Sequence, residues 1–203
     1  SKPIAEREFA ELKAFAKDTH GVDDLQAWDI GYYSEKLKEQ RYDYSAEDLR
    51  PYFQAPKVID GLFKVCARLF DITVTPRHDA ATWHADVTVY EIHDRNETLR
   101  GVFYLDPYAR EGKRGGAWMH PFQSRRVDTA GTQTPLAFLT CNFSPPVGDK
   151  PALLTHGEVT TLFHEFGHGL HHMLTQVDEA SIAGISGVEW DAVELPSQFM
   201  ENW

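Results

Sequence analysis

The sequence predicts an α+β fold, with a helical segment over residues 1–71 and a small, mostly antiparallel sheet packed on a helix over residues 72–203. Three observations predict it. Apolar residues recur at three- and four-residue spacing through the first part of the chain, which is a helical period. From Ile72 the pattern turns to alternation in runs rich in β-branched and aromatic residues, which is a strand period. Then TTLFHEFGHGLHHML, Thr160 to Leu174, sets four histidines and a glutamate into a mostly apolar stretch.

The helical segment holds three runs: AEREFAELKAFAKD, QAWDIGYYSEKLKEQRYD and KVIDGLFKVCARLFDI. In the third, Val58, Leu62, Val65 and Leu69 share a face. THGVDD links the first two runs, and RPYFQAPK links the last two, where Pro51 and Pro56 break helices. The aromatic stretch WDIGYYSEKL reads as helical core packing, since an acidic chain does not suit a stacking platform for nucleic acid.

In the second part, ADVTVYEIH and LRGVFYLD alternate, and DRNET between them reads as a hairpin turn. TPLAFLTCNF is a third strand, and its stretch Leu136 to Asn142 is expected to pair with an extended substrate as a sheet edge does. REGKRGGAWMHPF carries Arg110, Lys113 and Arg114 among Gly112, Gly115 and Gly116. It lacks the G-x-x-x-x-G-K-[ST] order and no helix start follows, so it is not a phosphate loop. On its own it reads as a flexible surface turn.

Thr155 and Glu158 form a capping-box pattern, so a helix is expected to start near His156. At roughly 100° per residue, Val159, Leu162, Phe163, Phe166, Leu170, Met173 and Leu174 fall within an arc about 120° wide. His164, Glu165, His168, His171 and His172 occupy the opposite arc. His164 and His168, four apart, lie one above the other and can hold one ion between them. H-E-x-x-H on a helix is the arrangement of zinc hydrolases, and imidazole suits zinc. Glu165 leans over the same ion without binding it, placed to take a proton from a water there.

A catalytic zinc takes three protein ligands and leaves a fourth position open. The metzincin solution needs glycine at 171 and histidine at 174, where this chain has His171 and Leu174. Asp178, Glu179, Glu189, Asp191, Glu194 and Glu201 are the later candidates. ASIAGISG suits a loop that turns the chain back, and a second capping box, Ser186 to Glu189, is expected to open a helix over VEWDAVELPSQFMENW. On that helix Asp191 and Glu194 share a face. Spacing favours Glu194 and leaves Asp191 and Glu201 open.

FHEFGHGLHHML followed by SGVEWDAVELPSQFMENW resembles the thimet-type oligopeptidases, the M3 family of zinc peptidases. GVFYLDPYAREGKRGGAWMHPF and FLTCNFSPP extend the likeness across at least Gly101 to Trp203. The F-H-E-F-G-H core with V-E-x-P-S-Q-x-x-E-N-W is far more specific than HExxH alone. The resemblance implies a zincin-like (gluzincin) catalytic region and a zinc metalloendopeptidase that hydrolyses internal bonds of short peptides. It implies one Zn2+ per chain on His164, His168 and Glu194, with Glu165 as general base. It also implies that Gly115, Gly116 and Ala117 let the backbone approach a bound peptide, and that the full-length form is a monomer.

In that family a long helical portion follows, carrying a tyrosine and a histidine that stabilise the transition state. No residue here takes those roles, so the sequence reads as the central part of a longer enzyme. The alternative is a catalytically incomplete zinc- and peptide-binding fragment. A structural zinc is normally closed by four ligands, often cysteines, and would leave Glu165 without a task.

Composition bounds the partners. The chain has 203 residues, 31 acidic against 20 basic, a net charge of −11, and 42% hydrophobic content. That argues against nucleic acid or an anionic membrane as principal partner, and serves solubility. No run of about 18 apolar residues exists to span a membrane. Two isolated cysteines, Cys66 and Cys141, make no disulfide framework, and a cytoplasmic setting is expected.

Overall fold

The computed structural model describes residues 2–43 and 46–203. The chain divides into two compact units, Ser1–Leu49 and Arg50–Trp203. In the first, α1 (Lys2–His20) ends at Gly21, whose left-handed φ of 70° lets its N–H return to Lys17 O at 2.9 Å. Leu12, Ala16 and Leu25 form its core, with Val22, Tyr33 and Leu37 at the margin. The second helix, α2, spans Ile30–Tyr42 and starts later than the periodicity suggests. Asp29 Oδ2 accepts from Gln26 N at 3.1 Å and holds a turn there instead. A short helix, α3 (Ala46–Leu49), closes this unit.

The second unit begins with α4 (Ala55–Phe70), which carries Pro56 in its first turn, where a missing N–H costs nothing. Val58, Leu62 and Cys66 are buried, with Val65 and Leu69 half-buried beside them. This stripe packs into the core of the sheet that follows, so the break between units falls at Leu49 and not at residue 71.

Seven strands follow: β1 (Ile72–Pro76), β2 (Thr88–Asp94), β3 (Leu99–Tyr108), β4 (Trp118–Gln123), β5 (Arg126–Asp128), β6 (Gly131–Gln133) and β7 (Leu136–Phe143). The main sheet runs β1-β2-β3-β7-β4, and β5 and β6 form a separate pair. All main-sheet neighbours are antiparallel except β3 and β7, which are parallel. DRNET is the turn of the β2–β3 hairpin, closed by Asp94 N to Thr98 O at 3.0 Å. The fold is thus mixed α+β with a mostly antiparallel sheet. One expectation is corrected: β7 lies between β3 and β4, with its backbone paired on both sides, so the edge on that side is β4, with β1 at the other edge.

On one face of the sheet lies α5 (His156–Met173). Phe166 meets Phe103 and Phe63 with ring centroids 5.3 and 5.8 Å away. Gly101 of β3 admits Met173, since a Cβ there would come within 2.6 Å of the Met173 Cβ. Cys66 and Cys141 are free thiols within this core, and burial pushes both up to about 12. No helix among the described residues is long and apolar enough to cross a membrane.

Candidate metal centre

The start of α5 is a reciprocal cap. Thr155 Oγ1 accepts from Glu158 N at 3.2 Å, and Glu158 Oε2 accepts from Thr155 N at 2.7 Å. Leu162, Phe163, Phe166, Leu170 and Met173 then enter the core. The polar arc divides. His172 is fully buried and its Nε2 donates to Gln123 O on β4 at 2.9 Å. His171 lines an apolar cavity with Leu170, Leu174, Pro196, Phe199 and Met200. His164, Glu165 and His168 form the other group.

After α5 the chain reverses against His172. Gly184, at φ 63°, lies so close that a Cβ would come within 2.7 Å of the imidazole Nδ1. The helix expected from Ser186 does not form. Ser186 Oγ instead lies 3.3 Å from Ser124 Oγ, and turns run from Trp190 to Glu194 with Ala192 N and Val193 N both on Glu189 O. Pro196 bars any helix from running on through this segment. Its ring would meet the Ala192 carbonyl, and it has no N–H to donate there. The last helix, α6 (Leu195–Met200), therefore starts afresh with Pro196 in its first turn and Glu194 at its N-cap position.

Gly167 lets α6 lie on α5. A Cβ on Gly167 would come within 2.5 Å of Pro196 O and 2.6 Å of Ser197 Cα. The single Ser197 hydroxyl proton is shared between Glu194 O at 2.9 Å and Glu194 Oε2 at 2.8 Å, which turns that carboxylate back over α5. Glu194 Oε2 stands 3.2 Å from His164 Nε2 and 3.1 Å from His168 Nε2. These three side chains offer ligand atoms within 4.8 Å of one another.

The other acidic candidates go elsewhere. Asp178 pairs with Arg125 at 2.7 Å, and Glu179 accepts from Ser181 Oγ at 3.2 Å. Asp191 and Glu189 do not join the group. Glu201 Oε1 lies 2.6 Å from His164 Nδ1, on the nitrogen facing away from Glu194. A carboxylate there accepts a hydrogen bond from Nδ1–H and leaves the Nε2 lone pair free, which is the tautomer a metal needs.

Burial lowers the pKa of His168, against the opposing pull of Glu194, and favours the neutral imidazole. The Ser197 hydroxyl, helped by the two imidazoles, holds Glu194 below its ordinary range. Glu165 is only 7% exposed, and burial raises it above the usual carboxylate value. His164 and a hydrogen bond from the Met119 backbone act the other way. Two imidazoles and a carboxylate form a borderline nitrogen–oxygen set that fits zinc. Glu165 stays outside that set as an acceptor beside it.

Gly115, Gly116 and Ala117 lead directly into β4. The loop is pinned: Asn142 Nδ2 donates to Arg114 O at 2.8 Å and to Gly116 O at 2.6 Å. Gly116 needs its φ of 95°, whereas a Cβ on Gly115 would meet nothing within 4 Å. The chain's own packing therefore does not require a glycine at 115. Sequence reasoning missed Met119, Ser197 and Gly167. Gly167 carried a signal, because glycine inside a helix costs about 1 kcal/mol against alanine and so asks for a packing reason.

Peptidase family M3 matches residues 1–203 of the chain. The chain is 60% identical to Oligopeptidase A of Escherichia coli (strain K12), covering 100% of this chain and 30% of that protein. It is 58% identical to Oligopeptidase A of Salmonella typhimurium, again covering 100% of this chain and 30% of the relative. Dipeptidyl carboxypeptidase of Escherichia coli is 36% identical, over 98% of this chain and 29% of its own length. The chain thus spans about 30% of the length of these curated relatives. With a match over its whole length, the chain belongs to peptidase family M3.

Proposed function

We propose that the protein is a zinc metalloendopeptidase that hydrolyses internal bonds of short peptides. The observation that carries this is the convergence of Glu194 Oε2 on His164 Nε2 and His168 Nε2, at 3.2 and 3.1 Å, beside a buried Glu165. His164, His168 and Glu194 would hold one Zn2+. Zinc supplies Lewis acidity there, lowering the pKa of water toward neutrality and polarising a carbonyl.

Glu165 is the general base. Its raised pKa increases its affinity for a proton, while the Met119 contact keeps the carboxylate aimed. It accepts the proton of the attacking water and passes it to the leaving amine. An extended peptide would add to the edge strand β4 by backbone hydrogen bonds. The space beside Gly115, with Gly116 and Ala117, would let that backbone come close. The gluzincin class fits this arrangement: an HExxH helix under a sheet with a glutamate as third ligand. Free, buried thiols support a cytoplasmic setting, and a monomer is the proposed state.

The test is a cleavage assay on short peptides with the intact protein, with and without chelator, identifying the products by mass. Internal cleavage abolished by chelator and restored by zinc is expected. Chelator-resistant cleavage would overturn the metal assignment, release of C-terminal dipeptides alone would overturn the endopeptidase assignment, and binding without cleavage would leave a peptide-binding module.

A further inference from the structure

The loop between β3 and β4 is held by more than a connection requires. Lys113 reaches back to the strand it follows, donating to Asp106 Oδ1 and Asp106 O at 2.9 Å each and to Tyr108 O at 2.7 Å. All three N–H directions of its ammonium are used. The Lys113 side chain is 5% exposed and Asp106 is 3% exposed, so a full charge pair is withdrawn from water. Asp106 also takes a forked pair from Arg110, at 2.7 and 2.8 Å, and Trp83 Nε1 at 3.1 Å.

At the far end of the loop, Asn142 of β7 spends both amide hydrogens on Arg114 O and Gly116 O. The loop turns on Gly112, just before Lys113, and on Gly116 at the second clamp, at φ 75° and 95°, in a stretch that is largely exposed. A buried ion pair is weak evidence of net stability, and in some proteins such a pair selects one arrangement. What this arrangement fixes is the entry to β4. Two residues past Gly116 begin the pairs Trp118–Thr140 and Met119–Leu139, and the Met119 backbone meets Glu165.

We propose that Lys113 and Asn142 are positioning residues, which hold the 109–117 loop so that β4 keeps Met119 against Glu165 and offers one backbone register to an extended peptide. The peptide half of this rests on the peptidase reading above; the Met119 half does not. A displacement of about 1 Å at such a site can cost about a hundredfold in rate, although neither residue touches the reacting atoms.

The test uses the intact, zinc-loaded protein with Asn142→Ala, Lys113→Met and Lys113→Arg, read by hydrogen exchange and by steady-state kinetics on short peptides. Asn142→Ala and Lys113→Met should speed exchange of the β4 amides, Met119 included, by about tenfold while β2 and β3 stay protected. Both should bind zinc fully and lose about 10- to 100-fold in kcat/KM, and Lys113→Arg should restore most of it. Unchanged β4 exchange would overturn the proposal. So would exchange rising equally across β2 and β3, which marks a purely structural role, or an unchanged kcat/KM in an active protein. If the wild type cleaves no peptide, the functional reading fails and the exchange result alone judges the positioning. If Lys113→Met does not fold, the half-buried Asn142 still decides it.

Discussion

Glu201 Oε1 stands 2.6 Å from His164 Nδ1, while His164 Nε2 faces Glu194 Oε2 at 3.2 Å. One imidazole is thus held between two carboxylates on its two nitrogens. The Glu201 contact sets the tautomer and the ring plane, and the Glu194 contact marks where an ion would sit.

Glu201→Ala should therefore weaken zinc binding by about 10- to 100-fold without removing a ligand. Competition against a chromogenic chelator measures it. An affinity equal to wild type would show that Glu201 does not orient His164.

Much of this site was legible because it is local. The capping box, the apolar arc and the i,i+4 histidine pair lie within one helix, whose geometry follows from its period. The β2–β3 hairpin was legible for the same reason. The route to Glu194 was not, because it depends on packing between distant segments. The expected helix from Ser186 assumed that Glu189 would cap it, whereas the Ser186 hydroxyl is drawn to Ser124, 62 residues away in sequence. Spacing alone left Glu201 among the ligand candidates; the fold sets it on the other side of the ring. Likewise β7 reads as any exposed or buried strand would, and only the parallel pairing with β3 makes it interior.

Glu165→Gln should leave zinc affinity close to wild type and lower kcat by about 10²–10⁴, since an amide cannot accept the proton. Zinc titration and kcat measured on one preparation check both halves. Activity retained after loss of zinc would reverse the roles assigned to Glu165 and the ligands.

Asp106 gives the second unit an acid-sensitive point. Burial would raise its carboxyl, but the hydrogen bonds from Arg110, Lys113 and Trp83 outweigh burial and hold it at about 2, against an ordinary 3.8. A carboxyl lowered on folding stabilises the fold above 3.8 and loses that contribution as pH falls toward 2. The shift corresponds to about 2 kcal/mol. Urea unfolding at pH 5 and at pH 2.5 should therefore show a smaller loss for Asp106→Asn than for wild type. Equal losses would show that Asp106 is not titrating in that window.

Gly167→Ala tests how Glu194 reaches the histidines. In an isolated helix this change would stabilise by about 1 kcal/mol, because alanine is the better helix former. Here the new methyl would meet backbone, Pro196 O at 2.5 Å and Ser197 Cα at 2.6 Å, and no side chain can swing aside. Relief requires α6 to lift from α5, carrying with it Ser197 and the carboxylate that Ser197 holds. We expect a loss of about 1–3 kcal/mol in stability, as overpacking brings, together with weaker zinc binding. Gly157→Ala is the control, because it lies in the first turn of the same helix and its added Cβ would meet only Thr155 Oγ1, at 3.9 Å. That variant should be neutral or slightly stabilising, with zinc affinity unchanged. If Gly167→Ala instead matched the control in both measurements, α5 and α6 would not be in the close contact that brings Glu194 over His164 and His168.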